Sequence, residues 1–398
     1  MGSELRNLRQ QYFLVYGIEG AIAPFLPVVL ATQLGLGRGE IGTVVAMGGL
    51  AILITPVLLG AVADTDRRET RLLAGILVGT AVSLLAMTGL EGFGAGLIVF
   101  GLYSLAFEPT KSLQDSLFFT AKRSAAGLEH VSFHQVRVWG TLGFLLPGVA
   151  LYLPLSLGTG TWIVLAVAAG MAVLSAGNAL RLPQPARPSA GSGAATPPGL
   201  GRSLGRAWKV ARRPRLAVFG IAMLLLQMAM SAYLAFYPLY VTDVVGVDVR
   251  WLGLIANLGV GLEVGYMALY GWLIQRLGWR RLMVTSALAQ GSRMLALAVW
   301  PTVGVVLGTQ LVHGYVVITT LVAARVFLDA QAEPGMRHAL QGLYTMVVIG
   351  GGRVAGSFLG GLVAARDLQW LFGVAAVAAV VAAFLLAWTF GEDEHIPG

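Results

Sequence analysis

Nine ionisable residues stand where the surrounding sequence is apolar: Glu19, Glu108, Lys111, Asp115, Arg137, Glu263, Arg293, His313 and Arg353. A lipid-facing charge in a bilayer costs roughly 2.5 kcal/mol or more, so in a membrane segment each must face protein or water. Spacings of 3, 4 and 7 put Glu108, Lys111 and Asp115 on one face of a helix. A carboxylate taken out of water holds its proton more tightly, and a neighbouring arginine loosens it again. An arginine that moves, or that a substrate captures, therefore loads or releases a proton. Such a set suits the coupled movement of a proton and a small polar solute. Enzyme chemistry is not expected: the charged set lacks the spacing of an intramembrane protease, there is no HExxH metal motif, and no GxxxxGK[ST] loop would deliver ATP. Neither a metal nor a cofactor is implied.

The elements that must position these residues follow from composition. The chain has 398 residues, 57% hydrophobic and 12% charged, with mean hydropathy +0.77. Soluble domains carry about 25% charged residues, so this is a polytopic membrane protein whose partner is the lipid bilayer. The net charge of +8 does not point to nucleic acid, because the basic residues sit in short loops, where they set topology. Thiol chemistry is excluded, since there is no cysteine. Glu4, Arg6 and Arg9 lead into an apolar run too long for a signal-peptide core.

The apolar runs predict twelve spans, at 11–33, 41–63, 71–90, 95–121, 132–153, 161–180, 215–240, 251–274, 281–300, 303–329, 338–364 and 368–390. Each has about the 20 residues that a 30 Å hydrocarbon core requires. Twenty lysines and arginines fall in loops on the side of the N-terminus, against Arg38, Arg250 and Arg366 on the other. Both termini are therefore expected in the cytoplasm, with the chain a monomer in the plasma (inner) membrane of a prokaryote. At 1.5 Å per residue, Glu263 lies about 18 Å and His313 about 15 Å from the outer face, and Arg293 about 18 Å from the cytoplasmic face, all close to the midplane. Asp115 and Arg137 fall at similar height in the cytoplasmic half. An Asp115–Arg137 ion pair is geometrically open there, with Glu108 the alternative acid.

The one long polar stretch, 182–214, reads as a flexible linker followed by a basic amphipathic piece, RSLGRAWKVARR, at the membrane surface. It divides two copies of one unit. An offset of 211 aligns Phe25 with Phe236, Pro27 with Pro238, Gly35 with Gly246, Gly42 with Gly253 and Gly60 with Gly271. The expected architecture is an all-α membrane protein of twelve transmembrane helices in two pseudo-symmetric six-helix bundles, 1–181 and 215–398. Parallel repeats of this kind place a substrate site near the midplane in secondary transporters.

GAVADTDRRETR, from Gly60, and GWLIQRLGWRR, from Gly271, resemble the loop motif of the major facilitator superfamily. The resemblance implies a conformational latch built from Gly60, Asp64, Arg68, Gly271, Arg276, Gly278 and Arg280. Arg67 stands where that motif has a glycine, and Gln275 replaces its second aspartate. Within the superfamily, GAIAPFLPVVL from Gly20, VRVWGTLGF from Val136 and HALQGLYTMVVIGGG from His338 resemble the group containing lactose permease, the nucleoside:proton symporters and the phenylpropionate permease. By that resemblance Arg137 matches a sugar-binding arginine and Glu263 an essential glutamate, while Arg293 and His313 repeat a spacing of 20 seen in lactose permease. Val316 replaces that permease's proton-coupling glutamate, Gln310 its lysine, and Phe144 its sugar-stacking tryptophan.

The reading assigns proton coupling to Glu263, with Asp115, Glu19 and His313 behind it. Substrate contact goes to Arg137, Arg293, Phe144, Glu108, Lys111 and Tyr237, and a pair between the two halves to Glu19 and Arg353. The function expected is proton symport of a sugar, nucleoside or aromatic acid. A proton-driven exporter and a passive facilitator are the alternatives.

Overall fold

The computed structural model describes residues 2–63, 69–124, 128, 130–183, 200–332 and 336–390; among them there are helices and no strand. The first half contains α1 (Gly2–Ile22), α2 (Leu26–Gln33), α3 (Arg38–Ala63), α4 (Glu69–Ala86), α5 (Phe93–Ser124), α6 (Phe133–Ala150), α7 (Tyr152–Ser156) and α8 (Trp162–Ala179). The amphipathic α9 (Leu200–Ala211) precedes α10 (Pro214–Leu239) and α11 (Leu252–Val299). The chain then runs through α12 (Val303–Gly308), α13 (His313–Val317), α14 (Ala324–Gln331), α15 (Arg337–Tyr344), α16 (Gly351–Ala364) and α17 (Leu368–Thr389).

Ten helical stretches among the described residues are long and apolar enough to cross a membrane, and α1 with α2, bent by 58°, make an eleventh. Pro24 lies at that bend, where it has no N–H for the helix ladder and its ring crowds the preceding turn. The 48 residues of α11 would extend about 72 Å, more than twice the hydrocarbon thickness. Gly278 (φ 69°) is its one non-helical residue and divides it into two crossings. Among the described residues that makes twelve candidate crossings, the number the apolar runs predict.

Two expectations need correction. Helix begins at Gly2 rather than at 11, because the polar first turns dock on the end of α8. Asn7 Nδ2 donates to the Arg181 carbonyl (3.2 Å), Asn178 Nδ2 to the Asn7 carbonyl (2.9 Å) and Gln11 Nε2 to Ser175 Oγ (2.9 Å). The tenth and eleventh spans are not uniform helices. A 3₁₀ turn, Thr309–Val312, separates α12 from α13, and wide π-turns occupy Ile318–Ala323 and Thr345–Gly350. Such irregularities collect at functional sites, and the first of these contains Gln310 and borders His313.

The chain falls into two compact units. One comprises Met1–Gly37, Ile54–Ala194 and Asp248–Leu254; the other comprises Arg38–Leu53, Ala195–Val247 and Ile255–Gly398. In the first, α1 packs on α6 and α8, and α4 on α5 and α8. In the second, α10 packs on α16 and α17, α9 lies against α15, and Phe219, Phe327 and Phe390 form a buried aromatic cluster. On α9, Ala207 and Val210 are buried while Arg206 and Lys209 are exposed, so the helix turns an apolar face inward and a basic face outward.

Lipid tails are as apolar as leucine, so helices in a bilayer associate through close packing of small residues. Gly20 and Gly143 let α1 and α6 touch backbone to backbone, at Phe144 and Phe13 respectively. The repeat is visible in the same terms. Gly35 (φ 68°) and Gly246 (φ 78°) both occupy the left-handed region just past the first crossing of their copy. A Cβ on Gly42 would stand 2.5 Å from the Gly361 Cα, and one on Gly253 2.9 Å from the Gly148 Cα. Gly148 and Gly361 correspond at nearly the same offset as Gly42 and Gly253, so one contact is made twice, once inside each unit. Gly42→Leu and Gly253→Leu should each cost about 1–3 kcal/mol or more by overpacking, read as a lowered melting temperature in detergent. Gly75→Leu, whose Cβ meets nothing within 4 Å, should leave melting unchanged.

Candidate functional site

In the first unit the charged residues gather around two tyrosines of α1. Tyr12, Tyr16 and Glu19 are spaced i, i+4, i+7 and share a face. Lys111 Nζ on α5 lies 2.7 Å from Glu19 Oε2, and also 5.4 Å from the Tyr16 ring centre and 5.7 Å from that of Phe107. Arg137, from α6, lays its guanidinium 4.0 Å over the same Tyr16 ring. Gly140 makes room for that stack, since a Cβ there would stand 2.8 Å from Arg137 Nη1 and 2.7 Å from Tyr16 Cδ2. One aromatic ring thus attracts two cations, each contact worth about 0.5–2 kcal/mol according to its desolvation.

The Asp115–Arg137 pair is not formed. Asp115 Oδ1 accepts a 2.5 Å hydrogen bond from the Tyr12 hydroxyl, and Arg137 takes the Tyr16 face instead. The physical reason is that α1 contacts both α5 and α6, so its tyrosines supply partners to each. Glu108 and Phe144 are half-buried, Glu108 one turn before Lys111 on α5 and Phe144 with its backbone against Gly20.

The second unit holds a drier cluster. Arg293 on α11 is 2% exposed, with its guanidinium carbon 4.2 Å over the Tyr233 ring. Its Nη1 donates to His313 Nδ1 at 3.1 Å and its Nη2 to Met230 Sδ at 3.2 Å; Nε has no partner. A guanidinium only donates, so His313 Nδ1 accepts and the imidazole proton sits on Nε2. No carboxylate pairs with Arg293 among the described residues. Gln310 Nε2 donates to the hydroxyls of Tyr237 (2.7 Å) and Tyr233 (3.2 Å), and Tyr237 donates onward to the Val306 carbonyl (3.1 Å). The two tyrosine rings are 4.6 Å apart.

Glu263 reaches this cluster through backbone contact. A Cβ on Gly314 would stand 2.5 Å from the Glu263 Cα, and one on Gly259 would stand 2.5 Å from Gln310 Oε1 and 3.3 Å from His313 Cδ2. The turn of α11 that carries Gly259 and Glu263 therefore lies on the turn that carries Gln310, His313 and Gly314. Glu263 itself is half-buried. Arg353, on α16, lies against Gly48 of α3, where a Cβ would stand 3.0 Å from Nη2.

Of the latch residues, Asp64 and Arg68 lie outside the described residues. The backbone of Gly60 is helical within α3. Gly271 is exposed with nothing within 4 Å of a Cβ, so it makes no close approach here; Gly278 forms the turn between exposed Arg276 and half-buried Arg280.

Sequence reasoning missed Tyr12 and Tyr16, although their spacing from Glu19 is a signal that could have found them. It assigned only Tyr237 to the site from the aromatic run Tyr233, Phe236, Tyr237 and Tyr240 in and just past α10. Tyr233, Phe236, Tyr237 and Tyr240 are all buried, and the Tyr240 hydroxyl is bonded to the Leu297 carbonyl at 2.6 Å. They face the protein interior rather than the membrane interface.

Residues 5–374 match the MFS_1 like family. The chain belongs to that family. This MFS_1-like protein is a multi-pass membrane transporter for a small-molecule substrate, and its relatives are permeases rather than enzymes. It is 25% identical over 407 residues to the putative nucleoside transporter YegT of Escherichia coli (strain K12), covering 93% of this chain and 91% of that one. It is 26% identical over 370 residues to the xanthosine permease of the same organism, covering 89% and 87%. Its fold is similar to a crystal structure of the nucleoside transporter NupG, with a TM-score of 0.85 and 22% identity over 98% of this chain and 100% of that chain.

Proposed function

We propose that this transporter takes up a nucleoside together with a proton, by alternating access, as a monomer in the plasma membrane of a prokaryote with both termini in the cytoplasm. Its sequence halves, 1–181 and 215–398, act as the two moving bundles, joined by 182–214. The observation that carries the substrate class is the recurrence in each unit of an arginine laid on a tyrosine ring, Arg137 on Tyr16 and Arg293 on Tyr233. Aromatic faces stack on a nucleobase for about 1–3 kcal/mol, while guanidinium and amide donors reach ring carbonyls and ribose oxygens. Nucleosides are also what two of the similar proteins are named for.

In this reading Arg137, Arg293, Phe144, Tyr237, Glu108 and Lys111 contact the substrate. Glu263 carries the proton, with Asp115, Glu19 and His313 as the further candidates. Gly60, Asp64, Arg68, Gly271, Arg276, Gly278 and Arg280 form the latch. A Glu19–Arg353 pair would join the two halves; a charge-swapped double variant that fails to rescue two inactive single variants removes it.

The experiment is uptake into proteoliposomes under an imposed proton gradient, with nucleosides, sugars and aryl carboxylates supplied in parallel. Saturable accumulation of a nucleoside above its external concentration is expected. Equilibration without accumulation would establish a facilitator, outward pumping an exporter, and accumulation of sugar alone would overturn the substrate class.

A further inference from the structure

Away from the charged clusters, α1 and the end of α8 enclose an open groove of about 460 Å³, within the roughly 300–1,000 Å³ typical of ligand sites. Its walls are largely apolar, with Phe13 and Leu14 on one side and Val173 and Leu174 on the other. Its polar lining residues are Gln10, Asn178 and Arg181. The helices run antiparallel here, fixed by the Asn7, Gln11 and Asn178 hydrogen bonds. Each therefore carries a cation toward the same end and apolar residues about two turns further in, with Arg6 one turn beyond the residues that line the groove. On α1 a cation, Arg6, is followed after one turn by Gln10 and after another by Phe13 and Leu14; on the α8 side Arg181 is followed by Gly177, then by Leu174 and Val173. Arg6 and Arg181 are exposed, and neither has an acidic partner among the described residues.

We propose that this groove is a headgroup-selective site for an anionic glycerophospholipid in the leaflet on the side of the N-terminus. The order of cation, polar group and apolar trough matches an amphiphile whose phosphate meets the two arginines and whose acyl chain lies between Phe13 and Leu174. A free phosphate would use only the arginine end and leave the apolar trough empty. Gly177 keeps the groove open: nothing in the protein lies within 4 Å of a Cβ there, although the residue lines the groove.

The test uses the full chain, purified, equilibrated with phosphatidylglycerol or phosphatidylcholine, and examined for retained lipid by native mass spectrometry. Wild type should retain phosphatidylglycerol preferentially. Arg181→Gln should weaken that retention about fivefold, the effect of one arginine near a lipid phosphate. Gly177→Trp should displace both lipids while leaving the melting temperature unchanged, because the new ring enters the groove and not the packed protein. Equal retention of the two lipids by wild type, or unchanged phosphatidylglycerol retention in Arg181→Gln, overturns the proposal. Should Gly177→Trp fold poorly, the Arg181→Gln comparison decides alone.

Discussion

Glu263→Gln should reduce nucleoside accumulation to an internal-to-external ratio of about one. A single proton crossing a potential of 100 mV releases about 2.3 kcal/mol, enough to sustain roughly 50-fold accumulation of a neutral solute. Glutamine has nearly the same shape as glutamate, so the contact of Gly314 with the Glu263 backbone survives, but an amide cannot carry the proton. Exchange of labelled for unlabelled nucleoside across the membrane needs no net proton movement and should persist. That split, accumulation lost and exchange kept, separates a proton carrier from a residue that merely holds the fold. Retained accumulation in Glu263→Gln would transfer the role to Asp115 or Glu19, whose carboxylates bond to Tyr12 and Lys111.

Arg293→Lys and Arg137→Lys should each lower nucleoside affinity by roughly 10- to 150-fold, the range for losing a charged hydrogen bond of about 1.5–3 kcal/mol. Lysine keeps the charge but not the plane, so it can neither lie flat on a tyrosine nor offer the forked donors. The Arg293 variant should suffer more. It also withdraws the donor to His313 and leaves a compact, strongly hydrated ammonium in a site that is 2% exposed. Arg137 stands on a half-buried ring, where water replaces part of what is lost. Binding measured by calorimetry on purified variants checks both, and equal affinity of Arg137→Lys and wild type would remove Arg137 from the substrate contacts.

What was legible in the sequence follows from which forces act locally. Apolar run length is a property of the chain alone, so the twelve crossings could be read directly. Repeated glycines could be read too, because Gly35 and Gly246, or Gly42 and Gly253, are needed wherever the same backbone geometry recurs. The Arg293–His313 contact was legible as a spacing, since both sit near mid-height on consecutive crossings. The partner of Asp115 was not. Charge complementarity suggests Arg137, but two tyrosines of a third helix intervene, Tyr12 with a hydroxyl for the acid and Tyr16 with a ring for the cation, and helix spacing does not reveal which third helix that is. The 3₁₀ and π irregularities flanking His313 were likewise invisible, because a hydropathy pattern does not register a change of one residue per turn.

The central claim is that nucleoside and proton enter together through Glu263. The most direct measurement is pH in a lightly buffered suspension of de-energised proteoliposomes when nucleoside is added outside. The account predicts an immediate external alkalinisation that saturates with nucleoside and is absent in Glu263→Gln. Nucleoside entry with no accompanying pH change, or a pH change that Glu263→Gln leaves intact, would contradict it.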